Sequence, residues 1–161
     1  MIINDYVYLT PYEYYVYEAR APKDPAEKER VLKRLENIAK KYGARFRRDR
    51  VKWEYYELFK RDGEKAFAAP WEMAYPIDKE HVRAAWNYFS KPSNRAFYTP
   101  KERKIIIERI ARAALKHGIK LRYDPKDPLH KALPDSIKKQ MESRSINDLK
   151  YKYYAGLWWL N

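Results

Sequence analysis

The chain contains no cysteine and only three histidines, which removes several kinds of chemistry at once. Disulfides, cysteine-based metal sites and cysteine nucleophiles are all excluded. The histidines, His81, His117 and His130, lie far apart in the sequence and show none of the spacings that metal-binding motifs use. We therefore expect no metal site and no cofactor.

Glycine and serine are also scarce, and their positions argue against catalysis. The four glycines are scattered, so the sequence predicts no glycine-rich phosphate loop. None of the serines stands in the G-x-S-x-G pattern of a nucleophile elbow. Since no nucleophile can be assigned, we expect no catalytic residues, no enzymatic activity and no small-molecule substrate.

Two acidic pairs leave one enzymatic alternative open. Glu54 and Glu57 stand one helical turn apart, and Asp124 and Asp127 share a proline-containing segment. Either pair could hold Mg²⁺ for a nuclease, because carboxylate oxygens are ligands that magnesium prefers. Basic residues stand close to both pairs in the sequence, so ordinary salt bridges and turns are the favoured explanation.

Long apolar stretches are absent as well. No segment approaches the roughly 20 apolar residues that a membrane-spanning helix needs. The first residues lack the basic start and apolar block of a secretory signal peptide. Glutamine occurs once, while Lys, Glu, Ile and Tyr are abundant, a balance typical of proteins from hot environments.

Positive charge is present in excess. The formal net charge is +13, and two blocks, residues 21–61 and 91–131, together carry more than this whole excess. Self-repulsion at this charge opposes folding unless a polyanion neutralises it. Nucleic acid is the first candidate partner and an anionic membrane surface is the second.

The cations within these blocks predict phosphate contacts without sequence preference, because no base-reading motif accompanies them. Arginine suits this role, since its planar fork of donors matches a phosphate group. The alternative for each block is an ordinary charged surface that faces solvent and binds no partner. The residues predicted to bind nucleic acid are Arg45, Arg47, Arg48, Arg50, Lys52, Arg95, Lys101, Arg109, Arg112 and Lys116.

Three helix starts can be located from their capping residues. Thr10, Asp24 and Thr99 are each followed directly by proline, and glutamate stands three positions after each cap. Gly43 and Gly118 are placed to end the second and third helices. A weaker start stands at Asp78. Helical spacing predicts a core of Val31, Leu35, Ile38, Val82, Trp86, Phe89, Ile106 and Ile110, with Arg109, Arg112 and Lys116 facing away from it.

The pattern as a whole predicts an all-α fold in a single domain, 1–161. Its parts would be an N-terminal arm (1–23), a helical core (24–119), an extended connection (120–135) and a C-terminal helix (136–161). Prolines predict a second extended connection over 66–77. Residues 51–61 fit a strand or a helix, and we favour the helix.

Aromatic residues make up 16% of the chain and cluster near both ends. Left exposed, these ends would form a large apolar patch, so they either fold into the core or bury against other subunits. We favour the second arrangement. The predicted interface residues are Tyr14, Tyr15, Tyr17, Tyr153, Tyr154, Trp158 and Trp159.

Several stretches between residues 75 and 119 form a recognisable set. They are Tyr75-Pro76-Ile77, His81-Val82-Arg83-Ala84-Ala85, Tyr98-Thr99-Pro100-Lys101-Glu102, Arg109-Ile110-Ala111-Arg112-Ala113-Ala114 and His117-Gly118-Ile119. The set resembles a small helical module of bacteriophage and prophage proteins, often encoded near head-morphogenesis genes. That module has no established chemistry, so the resemblance implies a viral setting and no activity.

A second stretch, Asn94-Arg95-Ala96-Phe97-Tyr98, precedes a helix that contains Ile110-Ala111-Arg112-Ala113 and Leu115. This arrangement is similar to coat proteins of filamentous archaeal viruses. Those are small, basic, all-helical proteins that pair, wrap double-stranded DNA and build a helical virion. The resemblance implies double-stranded DNA and a second coat subunit, identical or related, as partners.

The leading hypothesis is therefore a viral structural protein, a coat or nucleocapsid protein that binds double-stranded DNA and assembles with other copies. It would be found in the virion, and in the host cytoplasm before assembly. One alternative is a non-assembling accessory or regulatory protein that binds nucleic acid. The other is the metal-dependent nuclease that the acidic pairs suggest.

Overall fold

Helices dominate the computed structural model, which describes residues 20–141 and the backbone of residues 2–3 and 7–8. The helices are α1 Pro25–Tyr42, α2 Tyr56–Asp62, α3 Val82–Phe89, α4 Pro92–Arg95, α5 Pro100–His117 and α6 Pro128–Lys131, followed by α7 over 135–141. Short 3-10 turns lie at Arg48–Arg50, Trp53–Tyr55 and Gly63–Ala66. The strands form two antiparallel pairs, β1 Ile2–Ile3 with β2 Val7–Tyr8 and β3 Phe67–Ala69 with β4 Ala74–Pro76.

The two long helices begin and end where their capping residues predict. The Asp24 side chain caps α1, and Gly43 ends this helix in the left-handed conformation, with φ 68°. Thr99 and Glu102 form a complete capping box ahead of α5, and Gly118 ends that helix with φ 70°. Because glycine adopts this conformation without strain, both helix ends follow from local chemistry.

The all-α prediction is wrong at residues 66–77, which were expected to form an extended connection. β3 and β4 pair there, with Phe67 opposite Pro76 and Ala69 opposite Ala74. All of this segment is buried except Tyr75, which is half-buried, and β3 packs against α5. A hairpin buried on both faces has no alternation of polar and apolar residues, so the sequence pattern did not reveal it. The fold is mostly helical with a small sheet inside.

The predicted core is largely confirmed. The predicted residues that are buried are Leu35, Ile38, Val82, Trp86, Phe89, Ile106 and Ile110. Val31 was wrong, because α1 turns Leu32 into the core and leaves Val31 half-buried. α3 begins at Val82 rather than at Asp78, and the preceding residues form a turn in which the Asp78 carbonyl accepts from the His81 and Val82 N–H groups.

Two further boundary predictions have different outcomes. Residues 53–62 are helical, as favoured, in a 3-10 turn that leads into α2. The extended connection 120–135 is wrong in its second part, where α6 occupies Pro128–Lys131. Pro128 takes the first helical position, where its missing N–H removes no hydrogen bond, and Asp127 caps the helix by accepting from the Leu129 N–H at 2.9 Å.

Other predictions fall outside the described residues. These are the helix start at Thr10, the interface residues Tyr14, Tyr15, Tyr17, Tyr153, Tyr154, Trp158 and Trp159, and the C-terminal helix beyond residue 141. No helix in the described part of the chain combines the length and apolarity needed to cross a bilayer.

Candidate functional site

Many of the arginines predicted to bind phosphate are instead ion-paired within the protein. The nitrogen–oxygen distances are 3.3 Å for Arg45–Glu102, 2.9 Å for Arg95–Asp127 and 2.7 Å for Arg112–Glu108, and Arg48 pairs with Glu29. In each pair an acidic side chain of the same protein neutralises the arginine, which the sequence analysis had expected to contact phosphate. The two basic blocks therefore do not present all of their cations to an external polyanion.

Arg109 was predicted to face away from the core, and this prediction is wrong. Its guanidinium donates to the Phe67 carbonyl at 2.9 Å and to the Glu64 carbonyl at 2.9 Å, and Nη1 lies 3.0 Å from the Tyr42 hydroxyl. The long arginine stem reaches across the side of α5 to β3 and satisfies carbonyl groups there. Arg109 thus holds the hairpin against the helix.

A row of cations remains exposed along α5. Lys101, Lys104, Arg112 and Lys116 are exposed and recur at helical spacing, so they share one face of an 18-residue helix. Glu108 lies within the row and pairs with Arg112. We refer to these four cations as the α5 stripe. At 1.5 Å per residue, the helix that carries it is about 27 Å long.

A cleft of about 470 Å³ gathers a different set of predicted cations. Arg47, Arg50 and Lys52 line it from the segment that precedes α2. Aromatic side chains also contribute to the lining; among them are Tyr55, Tyr75, Tyr88, Phe97 and Tyr98. This cleft, with cations beside aromatic rings, is the candidate functional site.

Glu72 also lines the cleft and is only 1% exposed. Its carboxylate accepts from the Tyr98 hydroxyl at 3.0 Å and from the Trp71 indole at 3.2 Å, and an Arg47 nitrogen lies 3.7 Å away. Burial raises the pKa of Glu72, and Arg47 and Tyr98 offset only part of this effect. A buried acid with a raised pKa beside a cleft is a common feature of functional sites.

The 3-10 turn beside the cleft contains polar atoms without partners. Within residues 20–141, the buried side-chain atoms that lack a hydrogen bond are Nε of Arg47, Oδ2 of Asp49 and Nε of Arg50. Buried polar groups are nearly always hydrogen-bonded, so three such atoms in four consecutive residues need an explanation. Two of them belong to arginines of the cleft. Their guanidinium groups lie over aromatic rings, Arg47 at 5.6 Å from the Tyr98 centroid and Arg50 at 4.4 Å from the Phe97 centroid, so packing holds both side chains in place.

Exposed aromatic rings also concentrate at the cleft. Tyr88 and Phe97 are the large hydrophobic side chains that residues 20–141 leave exposed, at 53% and 51%. Both backbones are anchored: Arg45 donates to the Phe97 carbonyl at 2.9 Å, and the Asn94 amide donates to the Tyr88 carbonyl at 2.8 Å. The cleft therefore offers flat apolar surfaces on fixed supports.

The backbone next to the cleft is strained. Met73 and Tyr75 have φ angles of 54° and 60°, in the left-handed region that costs a non-glycine residue about 1–2 kcal/mol. The Tyr75 ring is fixed by packing against Phe89 at 5.3 Å and Tyr98 at 6.2 Å between centroids. Strain of this kind persists where packing enforces it, and it clusters at binding sites.

The acidic pairs that suggested a nuclease do not converge. Glu54 lines the cleft, where burial raises its pKa and nearby cations offset part of the rise, whereas Glu57 is exposed and ion-paired within α2. Asp127 is buried and ion-paired, and Asp124 is exposed. Among residues 20–141, no three His, Asp or Glu side chains come together as metal ligands would. The described residues offer the nuclease hypothesis no converging ligand set.

His130 lies in a second recess, and its hydrogen bonds are those of a structural residue. The Asp124 N–H donates to Nδ1 of His130 at 3.1 Å, so the ring proton belongs on Nε2. Nε2 lies 2.9 Å from Ser90 Oγ, and this hydroxyl donates to the Trp86 carbonyl at 2.7 Å. His130 therefore donates to Ser90 and does not act as its base. Burial lowers the pKa of His130, with a partial offset from Asp127.

Comparison with known proteins places the cleft within a family. Residues 43–124 match DUF6582, a family of unknown function, and they make up just over half of the chain. The chain belongs to the DUF6582 family. All cleft-lining residues lie inside the DUF6582 segment, whereas α1 precedes it. No curated protein and no solved structure matches the chain.

Sequence reasoning found the cations of the cleft and singled out Glu54, but it missed Glu72 and the exposed aromatic residues. Glu72 carried a usable signal, because it is a charged residue between Trp71 and Met73 in an otherwise apolar stretch. A charge in such a stretch is buried and needs partners. Tyr88 and Phe97 carried no such signal, since the sequence alone does not separate an exposed ring from a buried one.

Proposed function

We propose that the protein binds nucleic acid through phosphate contacts that do not depend on sequence, and that the cleft is the main contact. The observation that supports this best is that Arg47, Arg50 and Lys52 line one cleft together with exposed aromatic rings. Guanidinium groups donate in a planar fork, and phosphate oxygens are acceptors that match it.

The overall charge supports a polyanion as the partner. The chain carries a net charge of +13, and internal ion pairs leave this total unchanged because each of them is neutral. The excess cations attract a phosphate backbone and release its counterions on binding, so the affinity depends strongly on salt. A neutral ligand would not be attracted by this excess positive charge.

A narrower form of the proposal is that the nucleic acid is viral DNA and that the protein coats it in a virion. The α5 stripe favours this form, because a straight row of cations on a helix can follow a phosphate backbone. Electron microscopy of the protein mixed with DNA tests it. Regular assemblies on DNA support a coat, and separate bound molecules support an accessory protein.

The cleft and the α5 stripe can be tested against each other with variants of equal charge. Arg50→Gln/Lys52→Gln removes two cations from the cleft, and Lys101→Gln/Lys104→Gln removes two from the stripe. We expect the cleft variant to weaken binding about 10-fold or more and to reduce the slope of log K against log salt by about 1–2. Fluorescence anisotropy with a labelled oligonucleotide over a salt series measures both quantities.

The control is Lys33→Gln/Lys131→Gln, which makes the same change in net charge at exposed positions that do not line the cleft. Equal losses in all three double variants would mean that only net charge matters, and the cleft would have no special role. A larger loss in the stripe variant than in the cleft variant would move the main contact to α5.

A further inference from the structure

We propose that the cleft accepts one unpaired base, so the protein prefers single-stranded nucleic acid to duplex. In this arrangement the base stacks on the rings of Phe97 and Tyr88, and Arg50 and Lys52 hold the adjoining phosphate. The inference rests on the proposed function, since it specifies which form of nucleic acid the same cleft binds. It replaces the double-stranded partner that the sequence resemblance implied.

The size of the cleft fits a single nucleotide unit. Its volume of about 470 Å³ lies within the range of roughly 300–1,000 Å³ that is typical of small-ligand sites. A duplex is too wide to enter, and its bases already have both faces covered by their neighbours. A base can reach the cleft rings only when it is unpaired and unstacked.

Exposure of the aromatic rings gives the base a place to stack. Tyr88 and Phe97 are exposed at 53% and 51%, and both line this cleft rather than being scattered over the surface. The guanidinium of Arg50 lies 4.4 Å from the centre of the Phe97 ring. Arg50 thus lies over one face of the Phe97 ring, so the base would stack on the opposite face, and the ring and the cation form a pair of the kind that single-strand binding proteins use.

The charges of the lining orient the ligand. Glu72 and Glu54 both line the cleft, so a phosphate placed against either of them would meet a carboxyl group. The neutral base avoids this repulsion. We therefore place the base on the aromatic side and the phosphate beside Arg50 and Lys52. Every base presents a flat face, so stacking adds affinity without sequence preference.

The test compares three labelled oligonucleotides of one length by anisotropy at fixed salt: a single strand, the matching duplex, and a single strand made entirely of abasic sites. We expect wild type to bind the single strand about 10-fold more tightly than either of the others. Phe97→Leu should remove this preference without changing the salt slope, and Phe97→Tyr, which retains a ring, should keep it. Tyr88→Leu gives a second, independent variant at an exposed position.

Failures of the two proposals look different. Equal affinity of wild type for the single strand, the duplex and the abasic strand would overturn the inference. The proposed function would still stand if Arg50→Gln/Lys52→Gln weakened all three. Absence of binding to any of the three strands at low salt would overturn the proposed function itself. Loss of binding to all three strands in Phe97→Leu would also overturn the inference, because the ring would then not act through base stacking.

Discussion

Two buried glutamates, Glu72 and Glu102, differ in almost everything except their solvent exposure. Each is 1% exposed, and each has an arginine nitrogen within 4 Å, at 3.7 Å from Arg47 and 3.3 Å from Arg45 respectively. Their pKa values nevertheless move in opposite directions: the pKa of Glu72 is raised and that of Glu102 is lowered. Low solvent exposure and an arginine partner alone do not decide how a carboxylate behaves.

Backbone donors and depth of burial account for the difference, since Glu72 lies deeper among protein atoms than Glu102 does. Glu102 accepts from the Arg45 N–H at 2.7 Å and from the Thr99 N–H at 2.9 Å, and the Arg45 guanidinium adds side-chain bonds. Burial alone would raise the pKa of Glu102, but these donors outweigh it. Glu72 accepts from a phenol and an indole, and its arginine lies beyond hydrogen-bond distance. Its ionised form is therefore less well stabilised.

The contrast separates a structural acid from one at the candidate site. Glu102 links the start of α5 to the segment that follows α1, because its carboxylate oxygens accept hydrogen bonds from both Thr99 and Arg45. Glu72 lies beside strained backbone and unpartnered arginine atoms, where the surrounding structure has not been optimised for stability. Backbone strain of this kind clusters at binding sites, which agrees with the role proposed for the cleft.

The largest effect is expected from Glu102→Gln, which places an amide NH₂ group where a backbone donor now binds. A buried donor without an acceptor and a weakened partner for Arg45 should lower the free energy of unfolding by about 3 kcal/mol. Urea unfolding at pH 7 measures this change. For a domain of this size, Tm should fall by about 10 °C.

The control on the same helix is Glu108→Gln, which breaks an exposed pair with Arg112 and should change stability by less than about 0.5 kcal/mol. The pH dependence adds a check. Because the folded pKa of Glu102 is lowered, its contribution is present above the unfolded value of 4.5 and is lost as the pH falls through the folded value. Equal losses in the two variants would contradict the structural role of Glu102.

Replacing the two arginine partners, Arg45 and Arg47, should have smaller effects on stability. The two replacements should differ in how much they weaken binding. Arg45→Met keeps the backbone N–H that binds Glu102, so it should cost only about 1 kcal/mol. Arg45 does not line the cleft, but its guanidinium anchors the Phe97 backbone, so nucleic-acid affinity should fall by about 2- to 3-fold.

Arg47→Met should weaken binding more than Arg45→Met does. It removes a cleft donor and should weaken binding about 10-fold. Glu72 can take up a proton when its cation is lost, which limits the loss of stability. Anisotropy and urea unfolding on the two variants give a two-by-two comparison. Weaker binding in Arg45→Met than in Arg47→Met would remove the distinction between the two arginines.

The sequence predicted those features whose causes are local. The ends of α1 and α5 follow from Asp24, Thr99, Gly43 and Gly118, because caps act over three or four residues. Glu102 was recognised as part of a capping box, which is the local half of its role. The buried faces of α3 and α5 followed from helical spacing.

Features that depend on distant partners could not be predicted. Arg45 meets Glu102 across 57 residues, and Arg109 meets the Phe67 carbonyl across 42. A count of charges along the chain does not reveal such pairings, so the basic blocks were credited with more available cations than the fold leaves. The β3–β4 hairpin was missed for the same reason, since its strands depend on the distant elements that bury them.

The smallest effect on stability is expected from Glu72→Gln, and its sign distinguishes the two glutamates most sharply. Because the folded pKa of Glu72 lies above its unfolded value of 4.5, its contribution is full below that value and is lost as the pH rises through the folded one. A glutamine keeps an acceptor for Tyr98 or Trp71 and does not titrate. The free energy of unfolding of the Glu72→Gln variant should therefore equal or exceed that of wild type at pH 8. It should also vary less than the wild-type value between pH 5 and pH 8. Urea unfolding at both pH values measures this, and a loss of more than about 2 kcal/mol at pH 8 would show that Glu72, like Glu102, is needed for stability in its ionised form.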